Sequence, residues 1–183
     1  MIQITYRGMI LFITCLWVLV RCLNWRQNRK ISVKRELELI LVYICLIVVA
    51  RFTFFPFSKV NGQVQPLVFD ASRAFPPRVN LVPIVYLFDY EIRREALINF
   101  IGNTAMFIPI GIIWPSVFRK LDTPARVITA GVCFSLFIEI LQLPFYDRVT
   151  DVDDLLLNSL GYLLGYGTLR LASSIFRLIS KKQ

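Results

Sequence analysis

The segment from Phe137 to Gly165, FIEILQLPFYDRVTDVDDLLLNSLGYLLG, decides the fold of this chain. It contains parts of two apolar runs, each long enough to cross a bilayer, joined by a short polar link. The segment carries five carboxylates and one arginine, namely Glu139, Asp147, Arg148, Asp151, Asp153 and Asp154. An ionisable side chain at membrane depth costs about 2.5–3.5 kcal/mol, so such residues are rarely kept without a use. The pattern therefore predicts two membrane helices that carry a polar site near their junction.

The composition of the whole chain also indicates a membrane protein. Of the 183 residues, 56% are hydrophobic and the mean hydropathy is +0.61, whereas soluble domains are about 45–50% apolar. The net charge of +9 is compatible with nucleic-acid binding. However, Lys and Arg cluster in the short links between apolar runs, as on the cytoplasmic face of a membrane protein. We therefore expect membrane lipid, and no nucleic acid, as a partner.

The His and Cys content of the chain bears on which catalytic and metal sites are possible. The chain has no His, which is the commonest acid–base side chain and the commonest metal ligand. Its absence excludes Ser-His-Asp hydrolysis, His-dependent lipid phosphatase chemistry and zinc peptidase motifs. The four Cys residues lie in apolar runs without a close C-x-x-C pair. We interpret them as small buried hydrophobic residues rather than as disulfide or zinc ligands.

The hydropathy pattern predicts an all-α integral membrane protein with about five transmembrane helices, since a span needs about 20 apolar residues. The predicted spans are Gly8–Asn24, Leu37–Phe57, Ala96–Phe118, Pro124–Leu143 and Asp154–Ile179. No small-residue cleavage site follows the first span, so we expect an uncleaved helix. A proline-rich outer loop joins the second and third spans, and its apolar stretch Val79–Ile84 fits a re-entrant or interfacial segment.

The basic residues predict the orientation in a multi-pass cell-membrane protein. The densest basic run, from Arg26 to Arg35, follows the first span and is expected in the cytoplasm. Further basic residues follow the third span and end the chain, on the same side if there are five spans. The long outer loop also contains Lys and Arg, so the bias is imperfect. This arrangement places the N-terminus outside and the C-terminus in the cytoplasm.

With this orientation, polar residues from four helices reach a similar depth, within about 10 Å of the outer boundary at 1.5 Å per residue. Several of them lie three or four residues apart and therefore share one helix face. The candidate ligand-binding residues are Arg51, Asn99, Asn103, Glu139, Gln142, Arg148, Asp151, Asp154 and Asn158.

The acidic residues have a structural interpretation as well. Asp151 or Asp153 can cap the fifth helix. Capping leaves Glu139 unexplained, because it lies inside a span and needs a partner such as Arg51 or Arg148. A purely structural ion-pair network therefore stands beside the binding site as an alternative.

The same carboxylates also allow a metal-dependent enzyme. Mg²⁺ and Ca²⁺ prefer oxygen ligands, and a buried Glu139 could act as a general base. The candidate metal ligands are Glu139, Asp151, Asp153 and Asp154, and the candidate catalytic residues are Glu139, Asp151 and Asp154.

Two further features concern helix packing. Gly161-x-x-x-Gly165 in the fifth span permits a close approach of helices. Pro109 predicts a kink or a local opening of the third span, because proline removes a helical hydrogen bond.

An ordered set of motifs carries a family resemblance. The motifs are Val79-Asn80-Leu81-Val82-Pro83, Asn99-x-x-x-Asn103-x-x-x-Phe107-x-Pro109-x-Gly111, Ser135-Leu136-x-x-Glu139-x-x-Gln142 and Arg148-x-x-Asp151-x-Asp153-Asp154-x-x-x-Asn158-x-x-Gly161. At these residues the sequence resembles the VanZ-like family of small integral membrane proteins, named for a teicoplanin-resistance determinant of Gram-positive bacteria. One departure is Tyr162, where the family usually continues with a second Gly.

The resemblance covers about Val79 to Gly167 and implies an all-helical membrane domain with a role at the bacterial cell surface. We therefore expect residues 58–183 to form a VanZ-like membrane domain of outer loop plus three helices. Residues 1–57 would form a two-helix extension with a basic cytoplasmic link, and the two parts are expected to make one structural unit.

Three functions stay open at this point. We favour a non-enzymatic cell-envelope protein without a cofactor that binds an amphiphile at the outer leaflet and contributes to teicoplanin resistance. Its ligand would be a lipid-tailed glycopeptide or a polyprenyl-linked cell-wall precursor. The first alternative is a metal-dependent enzyme acting on a polyprenyl or other lipid headgroup. The second is a small lipid transporter or flippase, which would have to oligomerise because the chain is short and lacks an inverted repeat.

Overall fold

A computed structural model describes residues 2–28, 31–55, 59–60, 62–82, 93–146 and 148–180. Within this part of the chain there are five α-helices. They are α1 (Tyr6–Asn28), α2 (Val33–Phe54), α3 (Arg93–Val117), α4 (Pro124–Gln142) and α5 (Val152–Ser180). Each helix overlaps one of the five predicted spans, so the predicted all-α membrane fold is confirmed.

Four of these helices are long and apolar enough to cross a membrane, as judged from length and composition. They are α1, α2, α4 and the Leu97–Val117 part of α3, which fits a multi-pass membrane protein. The fifth helix has 29 residues but is not among these four. That α5 crosses the membrane therefore stays a prediction, as does the orientation of the two termini.

Helices α4 and α5 begin where the sequence provides capping groups. Thr123 precedes α4, and its hydroxyl accepts a hydrogen bond from the Arg126 N–H at 3.4 Å. Pro124 takes the first helical position, where the missing N–H of proline costs nothing. At the start of α5, Asp151 accepts a hydrogen bond from the Asp153 N–H at 2.9 Å. The predicted cap of the fifth helix is therefore present, with Asp151 as the capping residue.

The chain packs as two compact units, each described here by itself. Unit 1 comprises residues 1–78 and 142–149, and unit 2 comprises residues 79–141 and 150–183. This grouping differs from the predicted division at residue 57, because the outer loop up to residue 78 and the link after α4 both pack in unit 1. The predicted division follows membrane segments and family motifs rather than packing, and it stays a prediction.

In unit 1, α1 and α2 pack together through polar and aromatic contacts. Arg21 of α1 forms an ion pair with Glu36 of α2, and the hydroxyls of Thr14 and Tyr43 are hydrogen-bonded at 2.7 Å. From the first contact to the second, the position moves back along α1 from Arg21 to Thr14 and forward along α2 from Glu36 to Tyr43, so the two helices are antiparallel.

Short strands complete unit 1. Strand β1 (Ile2–Ile4) pairs antiparallel with β4 (Leu67–Phe69), with Ile2 opposite Phe69. Between them in sequence lie β2 (Lys59–Val60) and β3 (Gln63–Val64), which also pair antiparallel. After β4, Asp70 caps a 3₁₀ turn at Ala71–Ala74. Hydrogen bonds from the side chain and backbone of Ser72 hold the pKa of the Asp70 carboxyl below its usual range.

In unit 2, α3 and α5 lie backbone to backbone. A Cβ on Gly161 would overlap the carbonyl oxygen of Thr104, and one on Gly165 would overlap that of Ile108. A Cβ on Gly111 would likewise overlap the carbonyl oxygen of Tyr162. The step from Thr104 to Ile108 on α3 matches the step from Gly161 to Gly165 on α5, so the two helices run parallel. The predicted close packing at Gly161-x-x-x-Gly165 is confirmed.

Helix α4 runs antiparallel to α5 and brings aromatic side chains into the same core. The buried Tyr162 ring of α5 lies against Gly131 of α4 and 6.3 Å from the Trp114 ring of α3, measured between ring centroids. The Trp114 ring is 4.7 Å from that of Phe134. Tyr162, which departs from the family pattern, therefore fills the centre of unit 2.

The prediction about the four Cys is wrong, whereas the kink predicted at Pro109 stays a prediction. Of the four Cys, only Cys45 is buried, while Cys15, Cys22 and Cys133 are exposed on helix surfaces. Interpreting all four as buried was therefore wrong, because apolar runs in a membrane helix also supply its lipid-facing surface. Pro109 lies within α3, which continues as an α-helix on both sides of it.

Some predicted features lie outside the described residues. Of the apolar stretch Val79–Ile84, strand β5 (Val79–Asn80) is described together with Leu81 and Val82. The remainder, from Pro83 to residue 92, lies outside, as do Asp147 and the final residues 181–183.

Candidate functional site

The candidate site residues divide between the two units. Unit 1 contains Arg51, Gln142 and Arg148, whereas unit 2 contains Asn99, Asn103, Glu139, Asp151, Asp153, Asp154 and Asn158. The predicted pairing of Glu139 with Arg51 or Arg148 joins residues of different units, and it stays a prediction.

Asp151 forms hydrogen bonds with residues of several elements of unit 2. It ends the two-residue strand β6 (Thr150–Asp151), which pairs parallel with β5, Asn80 standing opposite Asp151. One of its carboxylate oxygens accepts a hydrogen bond from the side-chain amide of Asn80 at 3.0 Å. The other accepts from the Asp153 N–H at the start of α5. The backbone N–H of Asp151 donates to Glu139 at 3.2 Å.

Glu139 is almost fully buried, with 2% of its surface exposed. Its Oε2 accepts the hydrogen bond from the Asp151 N–H, and its backbone carbonyl accepts one from the Thr150 hydroxyl at 3.0 Å. A buried carboxylate requires such donors, because it loses the stabilisation that water would provide. Glu139 thus ties α4 to the turn that begins α5, a role that capping alone does not assign to it.

A second contact joins α3 to α5 at the same end of the bundle. The side-chain amide of Asn103 donates a hydrogen bond to the Asp154 carboxylate. Asp154 lies in the first turn of α5, where the helix dipole favours a negative charge. Asn99, one turn earlier on α3, has an exposed side chain.

Asn158 lies one turn further along α5 and is almost fully buried, with 1% exposed. Its amide nitrogen donates to the Ser135 hydroxyl of α4 at 3.1 Å. Its carbonyl oxygen has no hydrogen-bond partner in the described part of the chain. A buried amide oxygen without a partner is costly, so Asn158 marks a polar position within an otherwise apolar core.

We name the group of Asn80, Asn103, Glu139, Asp151 and Asp154 the Asn–carboxylate cluster. Strands β5 and β6 and three helices contribute to it, and it combines three carboxylates with two amides. Its carboxyl oxygens accept hydrogen bonds, and its two amide groups both donate and accept them. It therefore suits a ligand that presents hydroxyl or ammonium groups.

Metal binding by the carboxylates of the cluster stays a prediction. Among the residues that the structure describes, no group of three or more Asp, Glu, Cys and His side chains is close enough to hold a metal ion. The carboxylate oxygens of Asp151 accept hydrogen bonds from Asn80 and from the Asp153 N–H, and the Asp154 carboxylate accepts one from Asn103.

In unit 1, the three candidate residues cap the C-terminal end of α2. Gln142 donates to the Thr53 carbonyl at 2.6 Å, Arg148 to the Phe54 carbonyl at 3.2 Å and Arg51 to the Phe55 carbonyl at 3.1 Å. The last carbonyls of a helix lack partners within the helix, and cations near them are favoured by its dipole. The structure therefore gives these three residues a stabilising role in their own unit.

Several residues of these networks were missed by the sequence reasoning, namely Asn80, Ser135, Thr150 and Thr53. Asn80 had a usable signal, because it is the one strongly polar residue in the apolar stretch VNLVPI. Thr53 takes part through its backbone carbonyl, which no side-chain pattern could reveal.

Comparison with known proteins gives one match. The model of a family described as VanZ/LLP1 matches residues 39–175. This range includes every residue of the Asn–carboxylate cluster, and it begins well before the motifs that carry the resemblance, taking in most of α2. Searches of curated proteins and of solved structures found no match. Because the match covers well over half of the chain, this protein belongs to the VanZ/LLP1 family.

Proposed function

We propose that this protein is a bacterial cell-envelope protein that contributes to resistance to lipid-tailed glycopeptide antibiotics such as teicoplanin. It would do so by binding the amphiphile at the Asn–carboxylate cluster, at the outer leaflet of a Gram-positive cell membrane. Family membership supports the general role, and the cluster supplies the proposed binding groups.

The observation that carries this proposal is the convergence of polar side chains from five elements in unit 2. Glu139 and Asp151 are linked by one hydrogen bond, Asn80 and Asp151 by a second, and Asn103 and Asp154 by a third. Burial of such groups in a helical core has a large desolvation cost. A function that uses them explains why the sequence keeps them.

The composition of the cluster indicates the chemistry of the ligand. Three carboxylates repel a phosphate, whereas they accept hydrogen bonds from sugar hydroxyls and from ammonium groups. The candidate cations, Arg51 and Arg148, belong to unit 1 and donate to backbone carbonyls there. The cluster thus favours a glycosylated or amine-bearing head group over a polyprenyl phosphate.

The helices around the cluster also present apolar surface for a lipid tail. Phe137 and Ile140, which flank Glu139 in sequence on α4, are 55% and 54% exposed, and Leu156 of α5 is 52% exposed. Exposed apolar side chains at this level would contact acyl chains in a bilayer. A ligand with a polar head and an acyl tail could contact both the Asn–carboxylate cluster and these apolar side chains.

A susceptibility experiment tests the proposal. The protein and its Glu139→Gln and Asp154→Asn variants are expressed in a teicoplanin-sensitive Gram-positive strain, with the amount in the membrane fraction measured for each. We expect the wild-type protein to raise the inhibitory concentration of teicoplanin and both variants to lose most of this effect. A glycopeptide without a lipid tail should show little difference.

Asp122→Asn is the matched control. Asp122 lies in the link between α3 and α4, is 57% exposed and pairs with Arg126 on the surface. This variant removes the same charge outside the cluster and should protect like the wild type. Equal teicoplanin susceptibility with and without the wild-type protein, at confirmed membrane expression, would overturn the antibiotic role.

A binding measurement separates the site from the cellular role. Purified protein in lipid nanodiscs is titrated with fluorescently labelled teicoplanin. A hydrogen bond to a charged group contributes about 1.5–3 kcal/mol, so Glu139→Gln should weaken binding about 10- to 100-fold. Unchanged affinity in both cluster variants would exclude the cluster as the binding site.

A further inference from the structure

We infer that the last three turns of α5, residues Arg170–Ser180, form an amphipathic helix that lies on the anionic headgroup surface at the end of the bundle opposite the Asn–carboxylate cluster. We name these residues the C-terminal amphipathic segment. The inference concerns a surface distinct from the Asn–carboxylate cluster and does not depend on ligand binding there.

The residue pattern separates two faces on this segment. At 3.6 residues per turn, the apolar residues fall within an arc of about 160° and the polar residues occupy the opposite side. The apolar face consists of Leu171, Ala172, Ile175, Phe176, Leu178 and Ile179. The polar face consists of Arg170, Ser173, Ser174, Arg177 and Ser180. Every one of these residues is exposed in the structure, so no other described part of the chain covers the apolar face.

The length of α5 places this segment at the membrane surface. The first 19 residues of the helix, from Val152 to Arg170, rise about 27 Å at 1.5 Å per residue. The hydrocarbon core of a bilayer is about 30 Å thick. Because α5 packs parallel to α3 and begins at the level of Asn103, Arg170 arrives at the opposite headgroup region. The 10 residues beyond it therefore have no hydrocarbon core to cross.

Packing of α5 against the described part of the chain ends at Leu169, the last residue of the helix that is not exposed. A Cβ at Gly167 would meet no atom within 4 Å, in contrast to Gly161 and Gly165. Glycine in a helix interior also weakens the helix locally. The helix beyond this point can therefore change direction and turn its apolar face toward the bilayer.

The basic residues of the C-terminal amphipathic segment indicate that its partner is anionic lipid. Both charged residues of the polar face, Arg170 and Arg177, are basic, and the sequence continues with Lys181 and Lys182. The hydroxyls of Ser173 and Ser174 donate to backbone carbonyls one turn earlier, at 2.8 and 2.9 Å. Their donor groups are therefore already hydrogen-bonded within the helix. An apolar face beside a basic face is the pattern of helices that lie on anionic lipid. A second copy of the helix would bring like charges together, which favours the lipid surface.

Hydrogen exchange of the wild-type protein tests the inference. The protein is placed in nanodiscs of phosphatidylcholine with or without phosphatidylglycerol, and amide exchange is measured by mass spectrometry. An isolated helix of this length frays in water, so it gains protection only when bound. A basic residue near an anionic surface contributes about 1 kcal/mol, or about 5-fold. We therefore expect phosphatidylglycerol to slow exchange in the segment about 25-fold through its two arginines.

Two double variants of equal charge distinguish a local effect from net charge. Arg170→Gln with Arg177→Gln should abolish the extra protection. Arg119→Gln with Arg126→Gln should preserve it, because these exposed residues lie in the link after α3 and in the first turn of α4. Phe176→Gln should reduce it as well, because Phe176 lies on the apolar face and is 73% exposed.

Exchange that is equally fast in both lipid mixtures would overturn the inference. Protection that is already complete without phosphatidylglycerol would do the same, because it would place the segment inside the bilayer core or against a second copy. High salt offers an independent measurement on the wild-type protein: it should reverse the added protection by screening the charges.

Discussion

The glycine contact between α3 and α5 makes a quantitative prediction about the stability of unit 2. Gly161→Ala adds one methyl group at a position where its carbon would overlap the Thr104 carbonyl oxygen. Gly167→Ala adds the same group to the same helix where nothing lies within 4 Å. The two variants therefore differ in packing alone.

The expected magnitude follows from two terms. Replacing Gly by Ala within a helix stabilises it by about 1 kcal/mol, and this gain is common to both variants. Overpacking a tight contact costs about 1–3 kcal/mol. The overlapping atom at Gly161 belongs to the backbone and cannot rotate away, so we expect the upper part of this range. Gly161→Ala should thus be about 2–3 kcal/mol less stable than Gly167→Ala, and Gly167→Ala should equal or exceed the wild type.

Unfolding by sodium dodecyl sulfate from a mild detergent provides the assay. Near-ultraviolet circular dichroism reports the packed aromatic core that includes Trp114 and Tyr162. Midpoints of the transition, measured for the wild type and both variants, give the differences in free energy. Gly165→Ala is a replicate, because its Cβ would overlap the Ile108 carbonyl oxygen in the same way.

Equal stability of Gly161→Ala and Gly167→Ala would refute this reasoning. It would mean that α3 and α5 do not touch at Gly161, and the parallel arrangement of these helices would then lose its main support. A loss of stability in both variants would instead point to a general intolerance of Ala in α5.

Three further predictions concern the networks described above. Asp151→Ala should lower the midpoint of detergent unfolding by removing a helix cap that contributes about 1 kcal/mol, whereas Asp151→Asn should keep most of it. Gln142→Leu leaves the buried Thr53 carbonyl without its donor and should cost about 1–3 kcal/mol; a wild-type midpoint would contradict the capping of α2. The pKa of Asp70 is lowered in the folded state by hydrogen bonds from Ser72, so its stabilising effect is present at neutral pH and is lost as the pH falls through its folded pKa. Stability of the Asp70→Asn variant, followed over acidic pH, should lack this contribution.

The helices could be predicted from the sequence because their signal is local. Apolar runs of about 20 residues, bounded by caps such as Thr123 and Asp151, are visible without tertiary information. The levels of Asn103, Asp154 and Glu139 also followed from counting residues along each helix. In unit 2, Asn103 is hydrogen-bonded to Asp154, and Glu139 to the Asp151 N–H, whereas a shared binding role stays a prediction.

The remaining features depend on contacts between distant parts of the chain. Strand pairs such as Val79–Asn80 with Thr150–Asp151 involve two residues each, too few for a periodic signal. The roles of Gln142 and Arg148 were predicted as ligand binding because polar groups near a membrane boundary indicate a site. Their observed partners are backbone carbonyls of α2, which carry no sequence signature.

The capping of α2 by Gln142 and Arg148 has a consequence for the order of biosynthesis. The hydrogen bonds to Thr53 and Phe54 join residues that are 89 and 94 positions apart. At a synthesis rate of about 5–20 residues per second, Gln142 and Arg148 are synthesised about 5–20 s after the end of α2. During this time the ribosome produces α3 and α4, which belong almost entirely to unit 2. The synthesis of unit 1 therefore starts first, but the hydrogen bonds that cap α2 can form only after most of unit 2 has been synthesised.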